Sequence, residues 1–282
     1  MKELKVYIPL CFLCKYFERS TSSYYKWLKQ DKQKICEIDN EIQDIFKKTK
    51  GTYGSPRIYK KLLSQGFKVS LNTVAKKMSA LGFNACLKKK FKVSTTNSKH
   101  NESIAPRLLR TEDCLDFTHP GKHLAGDITY IFLDNEIYYL SIVLDLFNRS
   151  VIGWSLDDNL CAEGVINSLN QAMNKRKITS ETIFHSDRGI QYACKDFKKL
   201  LETKKIKQSM SRKGNCYDNA YVETWFKTMK SEFLYRETFD SFGDFQRKLR
   251  NYIENWYNQA RLHSSLGYLS PKEYMLTNQK AA

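Results

Sequence analysis

From residue 126 onward the chain is written first in strands and only then in helices, and that order restricts its fold more than any other feature. Gly126 to Leu133 (GDITYIFL), Ile137 to Phe147 and Ser150 to Leu156 are runs rich in β-branched and aromatic residues, the first two separated by the turn pair Asp134-Asn135. Connections this short join only antiparallel neighbours, so the three runs predict a meander. The grammar then alternates. A helical pattern over Ala162 to Asn174 precedes the apolar strand Thr182-Ile183-Phe184, which runs into His185-Ser186-Asp187. A helix near Lys195 to Glu202, a short strand around Ile206 to Met210, a loop (SRKGNCYDN) and a long helix from Ala220 to about Leu234 follow. The order β-β-β-α-β-α-β-α predicts an α/β fold, in detail an α+β mixed sheet, antiparallel at one edge and parallel through the later crossovers, with helices on its faces.

The residues before this region read differently. Ile35, Ile38, Ile42, Ile45 and Phe46 recur at helical spacing. Ser55-Pro56 reads as a cap followed by a first-turn proline, opening a helix that turns Ile58, Leu62 and Leu63 inward and stops at Gly66. Ser70 caps a second helix, with Val74, Met78 and Leu81 on one side and Asn72, Thr73, Lys76 and Lys77 facing outward. A helix, a short Gly-containing turn and a helix with a polar, basic outer face outline a helix-turn-helix, although an ordinary helical hairpin has the same pattern. Charge favours DNA as the partner: residues 1–110 hold 24 Lys and Arg against 8 Asp and Glu, a net +16, whereas the remainder holds 23 against 22. The organisation expected is an N-terminal segment over 1–30, a helix-turn-helix-like DNA-binding domain over 31–87, a basic linker over 88–117 that includes the aperiodic run Lys88 to His100, and a catalytic core over 118–282.

Composition removes other classes. With 41% apolar residues, 13% aromatics and 5 prolines among 282 residues, the chain has enough apolar surface to fold. The run Ile137 to Leu144 is broken by Asp145 and is far too short to span a bilayer, so no membrane partner is expected. No secretory leader is evident and the eight cysteines are scattered, which predicts reduced thiols in the cytoplasm. Cys11-x-x-Cys14 and His119-x-x-x-His123 have metal-like spacings, but no second motif joins these distant pairs into a zinc site.

The β-β-β-α-β-α-β-α order is the layout of an RNase H-like fold, and three acids fall at telling places on it. Asp127 lies inside an apolar strand, where an unpaired carboxylate is costly. Asp187 follows a buried-looking strand, at the strand end where open α/β sheets bind ligands. Glu223 lies on the long helix, with Lys227 and Lys230 at i+4 and i+7 on its face and Val222, Phe226, Met229 and Phe233 forming the apolar stripe. A single acid is usually a cap or an ion-pair partner; order, element type and spacing together make these three a set. Converging carboxylates repel unless a hard cation joins them, and Mg²⁺ takes oxygen ligands while keeping positions for water and phosphate. Two such ions about 3.5 to 4 Å apart activate an attacking oxygen and stabilise a leaving one at phosphorus. The pattern therefore points to phosphoryl transfer on a nucleic acid.

The chain also resembles a known family. Gly126-Asp127-Ile128-Thr129-Tyr130, Asp145-Leu146-Phe147-Asn148-Arg149, His185 through Tyr192 (HSDRGIQY), Ser209 through Asn215, Asp218-Asn219-Ala220, Glu223, Lys230, Tyr257-Asn258, Arg261, His263, Leu266-Gly267-Tyr268 and Pro271 closely resemble the OrfB-type transposases of bacterial insertion sequences, a branch of the retroviral-integrase superfamily. Ser23 through Leu28 and Tyr53 through Ile58 resemble that family's helix-turn-helix-like module, and the likeness extends over residues 20–275. It implies an integrase catalytic core in which Asp127, Asp187 and Glu223 hold two Mg²⁺ ions, with Mn²⁺ as a substitute, and Lys230 contacts the element's end. The reaction implied frees a 3′-OH at the inverted-repeat ends and joins it to another DNA strand. The partners implied are double-stranded DNA, both element ends and target, further copies of the chain in a homo-oligomer, and an upstream-frame helix-turn-helix protein by fusion or association, in the bacterial cytoplasm and on the nucleoid when bound. The family usually carries Trp three residues before the first acid; this chain has Leu124.

Smaller signals have two readings each. His185 orients a phosphate or is a hydrogen-bonded structural histidine. Arg212 and Lys213 touch a DNA backbone or belong to a solvated loop. Trp256, Tyr257 and Tyr268 stack on bases or pack a terminal helix. For the whole chain the alternatives to a transposase are a catalytically silent DNA-binding regulator of transposition and an RNase H-type nuclease.

Overall fold

In a computed structural model, residues 6–85, 103–109, 117–212 and 219–279 are described, apart from the side chains of 27–36 and 279. The run Lys88 to His100 and Lys213 lie outside them. The chain divides into two compact units, Met1–Cys86 and Leu87–Ala282.

The first unit is helical: α1 (Leu10–Tyr16), α2 (Thr21–Lys48), α3 (Ser55–Ser64) and α4 (Leu71–Ala80). Helix α2 runs unbroken through residue 30, and Ile42 and Ile45 on its inner face are buried with Ile58, Leu62, Val74 and Met78. Two sequence expectations need correction here. The cap of α3 is Gly54, not Ser55, so Pro56 sits one place further into the first turn. Leu63 is 39% exposed, because the stripe that Ile58 and Leu62 form leaves it on the flank. Helix α3 ends as expected before Gly66, whose φ of +88° lets the Phe67 N–H turn back to the Leu62 carbonyl. Ser70 caps α4 by accepting from the Thr73 N–H. Asn72, Thr73 and Lys76 are exposed, but Lys77 turns inward and its ammonium lies 2.7 Å from Asp39 on α2. Its charge is used within the unit.

The second unit is built on a five-stranded sheet in the order β3-β2-β1-β4-β5: β1 (His123–Leu133), β2 (Glu136–Asp145), β3 (Val151–Asp157), β4 (Ile183–Ser186) and β5 (Lys207–Met210). The first three are antiparallel neighbours; β1–β4 and β4–β5 are parallel. The β1–β2 hairpin closes on Asp134 and Asn135, both with positive φ, the conformation that a two-residue turn matched to strand twist requires. Strand β2 ends at Asp145, two residues earlier than its apolar run, because Asp145 and Asn148 organise the turn that follows. Asp145 accepts from the Gly121 and Phe147 N–H groups and from Arg176 at 2.7 Å; Asn148 accepts from Ser150 and donates to the Pro271 carbonyl.

Side chains alternate across the sheet and so assign its two faces. Leu124, Val143, Ile152 and Phe184 pack on α5 (Ala162–Lys175) and α7 (Lys195–Thr203) through Val165, Leu169, Phe197 and Leu201. Between β4 and α7 lies the single turn α6 (Ile190–Ala193). Ala125, Ile131, Leu140 and Ile142 face the other way, toward α8 (Ala220–Met229) and α9 (Phe242–Asn251). Leu124, in the place of the family's Trp, is fully buried. After α8 the helix widens into π geometry over Lys230–Leu234, and α9 does the same over Tyr252–Ala260, before the terminal α10 (Pro271–Gln279). Arg261 then returns to Glu232 through two buried hydrogen bonds of 2.8 and 2.7 Å.

Both sheet edges are covered. Asn258 donates to and accepts from the backbone of Val151 on β3, each at 2.9 Å. Along β5, Leu108 and Leu109 donate their N–H groups to Ser209 Oγ, and Met210 N–H reaches the Pro106 carbonyl. Part of the expected linker is thus a strap on the sheet edge. No described helix is long and apolar enough to cross a membrane.

Candidate active site

The sheet register brings the first two acids together. β1 and β4 pair in parallel as His123 with Ile183, Leu124 with Phe184 and Ala125 with His185. Continued two places, that register sets Asp127 level with Asp187 on strands whose ordinary spacing is about 4.8 Å. The alternation that puts Ala125 and Ile131 on the α8 face puts Asp127 there too. Gly126, just before Asp127, makes room for the Phe184 ring on the opposite sheet face, since a Cβ at that position would meet the ring at 2.4 Å.

Glu223 comes from the first turn of α8, whose Val222, Trp225, Phe226 and Met229 are buried against the sheet. The electrostatics of Asp127 report the gathering. Its pKa is pushed well above the usual carboxylate value, first by burial, then by the Asp187 charge, with Glu223 adding to the effect; the Ile128 N–H and Lys230 oppose it. Lys230 is half-buried, and burial lowers its pKa while the Asp127 carboxylate raises it. Lys230 thus faces an acid of the site.

Two of the acids have other partners. Asp187 Oδ1 accepts from the Gly189 N–H at 2.9 Å, and Glu223 pairs with Lys227 at 3.5 Å. Among the described residues, no three His, Cys, Asp or Glu side chains are drawn close enough to hold a metal ion as they stand. The donor chemistry nevertheless fits a hard divalent cation: Asp187 and Glu223 both raise the cost of charging buried Asp127, Lys230 offsets only part of that cost, and a bound cation would relieve the rest.

The other candidates separate. His185 is buried and its Nδ1 lies 2.8 Å from Ser209 Oγ, the atom that also anchors the strap, so the structural reading accounts for it. Arg212 is exposed beside β5. Tyr257 is buried edge-on against Trp225, and Trp256 packs against the same core, as terminal-helix packing requires. Cys11 is exposed and Cys14 buried, both as free thiols.

Sequence reasoning missed Tyr192 and Asn219. Tyr192 is buried, with its hydroxyl pKa raised first by burial and then by the charges of Asp127 and Asp187. Asn219 donates from Nδ2 to the Gly126 carbonyl at 3.3 Å. The run HSDRGIQY contained the tyrosine, but only β4 and α6 reveal its direction.

Comparisons with known proteins show what the chain is similar to. The family described as "Integrase core domain" matches residues 118–216, a second of that description matches 204–271, and "HTH-like domain" matches 34–91. Transposase InsF for insertion sequence IS3A of Escherichia coli (strain K12) is 34% identical over 270 residues, covering 93% of this chain and 92% of that protein. An insertion element IS600 uncharacterized 31 kDa protein of Shigella sonnei is 33% identical over 266 residues, covering 93% and 97%. Among solved structures, the HTLV-2 integrase catalytic core domain in complex with magnesium overlays with a TM-score of 0.42 at 17% identity, covering 55% of this chain and 96% of that one.

Proposed function

The chain belongs to the insertion-sequence transposases of the integrase superfamily, and from that premise we propose that it cuts the inverted-repeat ends of its element and joins them to target DNA by Mg²⁺-dependent in-line phosphoryl transfer at Asp127, Asp187 and Glu223. It is a DNA transposase with an RNase H-like core and a helix-turn-helix-like domain, and its integrase core makes it a polynucleotidyl transferase. The observation that carries the proposal is the parallel β1–β4 register, which continued two places sets Asp127 level with Asp187, with Glu223 in the first turn of the helix packed on the same sheet face.

In this reading Asp127, Asp187 and Glu223 would hold two Mg²⁺ ions, which Mn²⁺ can replace. The bound ions supply Lewis acidity toward the attacking and leaving oxygens. The chain's own residues do the rest. Burial of Asp127 keeps its carboxylate short of hydration, so it favours a cation over solvent. Lys230, facing Asp127, holds positive charge at the site before metal arrives and can release it to a DNA phosphate afterwards. Lys227 does the same for Glu223. No covalent enzyme intermediate is required.

Residues 31–87 would be the DNA-binding domain, with Asn72, Thr73 and Lys76 of α4 toward the duplex, and Arg212 and Lys213 would contact the DNA backbone. Lys77 is the exception, since Asp39 already takes its charge. Copies of the chain would assemble on paired element ends, with an upstream-frame helix-turn-helix protein as a further partner, in the bacterial cytoplasm and nucleoid.

Purified protein, an end-sequence duplex and Mg²⁺ or Mn²⁺ test this. Nicking at the 3′ end and strand joining are expected, and Asp187→Asn should lose both while binding DNA normally. Binding without nicking under either metal would favour a silent regulator. Hydrolysis of RNA in hybrids without joining would favour a nuclease.

A further inference from the structure

The N-terminus of α8 contains an arrangement that helix stability alone does not explain. Asn219 is the N-cap residue, a position where asparagine ordinarily accepts an N–H from the helix's own first turn. Here the side chain makes no such bond. It is 5% exposed, it sends Nδ2 across to the Gly126 carbonyl at 3.3 Å, and its Oδ1 is buried with no partner among the described residues. The side chain has given up a cap, and left an acceptor unsatisfied, to make one contact outside its helix.

That contact joins the two elements that carry the site's acids. Gly126 immediately precedes Asp127 on β1, at the first position beyond the last β1–β4 pair, Ala125 with His185. Glu223 lies four residues after Asn219, one turn along α8. The amide bond therefore spans from the residue before one acid to the turn below the other. Gly126 cannot drift to accommodate a shift, because Phe184 closes its other face.

We infer that Asn219 is a positioning residue that sets the distance between Asp127 and Glu223 by tying the start of α8 to β1. This rests on the proposed role of those acids as metal ligands. Free of the tie, α8 keeps its apolar contacts but is no longer fixed in height over the strand, and the acids meet a cation less often in the right separation.

The test measures Mn²⁺ binding to the full chain without DNA, by electron paramagnetic resonance, for wild type, Asn219→Ser, Asn219→Ala and Asp127→Asn. Serine is the informative change: it caps a helix well but is too short to reach Gly126, so it keeps α8 folded while cutting the tie. Loss of an outer hydrogen bond that orients a ligand typically weakens metal binding roughly 10- to 100-fold. Both Asn219 variants should fall in that range, with strand-transfer kcat reduced and the KM for end DNA unchanged. If Asn219→Ser binds Mn²⁺ as wild type does while Asp127→Asn does not, the tie to Gly126 does not set the separation of the acids and the inference is overturned. If Asp127→Asn also binds normally, the metal assignment itself fails, and this inference with it.

Discussion

Asp127 works against the stability of the strand that carries it. Burial and the facing acids raise its folded pKa well above that of an ordinary aspartate. The folded chain therefore binds that proton more tightly than the unfolded chain does. The favourable contribution is complete below the unfolded pKa and is lost as pH rises through the folded one, so at neutral pH the ionised group is a net cost. Asp127→Asn is accordingly expected to raise the melting temperature by a few degrees at pH 7, with the gain vanishing as pH falls below about 4; scanning calorimetry across that range checks it. A variant less stable than wild type at pH 7 would mean that Lys230 more than compensates the charge. The conflict was partly legible in the sequence, since a carboxylate between Gly126 and Ile128 in an apolar run has no obvious local partner. That Lys230 would face it was not: the spacing put Lys230 on the Glu223 face of a helix, but only packing of α8 on the sheet aims it at β1.

At the scale of elements, close backbone contacts and one buried ion pair hold the second unit's layers. Gly153 on β3 lies so near α5 that a Cβ would sit 1.9 Å from the Ser168 carbonyl oxygen. Gly153→Ala must move the helix, and overpacking of this kind costs about 1 to 3 kcal/mol or more; urea denaturation should show a loss in that range. Glu232 and Arg261 tie the π segment after α8 to the chain's return. Both are about 5% exposed, and the hydrogen bonds and charge of Glu232 outweigh burial to hold the Arg261 pKa above its ordinary value. Arg261→Ala takes the guanidinium away from a buried carboxylate and should cost about 3 to 5 kcal/mol, whereas Arg261→Met with Glu232→Leu should recover most of it. Unfolding curves for the single and double variants distinguish the pair from simple loss of packing. The strands, their turn and the α8 stripe were legible because each depends on local periodicity or on one residue's φ. The π segments, the strap at 103–109 and the Asn258 cover on β3 were not, because each answers to backbone groups far away in the sequence. Ser55 was misassigned because the cap falls one residue earlier, at Gly54, and Leu63 because it lies on the flank of the stripe that Ile58 and Leu62 form.

For the molecule as a whole, the charge division is the main clue to how it meets DNA. Residues 1–110 making about 6 to 10 phosphate contacts should lose about 10³- to 10⁵-fold in affinity between 50 and 200 mM salt. Fluorescence anisotropy on the isolated end duplex measures this, and a flat response would remove the basic module as the main grip. Within that response Lys76→Ala should reduce the salt slope by about 1. Lys77→Ala should leave the slope nearly unchanged and instead lower the stability of α4 on α2, because its charge is spent on Asp39. The sequence treated the two lysines alike, since nothing local separates them.

The central claim is that acids from β1, the end of β4 and α8 bind metal together. Fe²⁺ loaded in place of Mg²⁺, with ascorbate and peroxide, cuts backbone beside the ion. Cleavage at three stretches, around residues 127, 187 and 223, suppressed together by excess Mg²⁺ and by Asp187→Asn, is the result predicted. Cuts confined to one stretch, or spread over acids elsewhere in the chain, would contradict it.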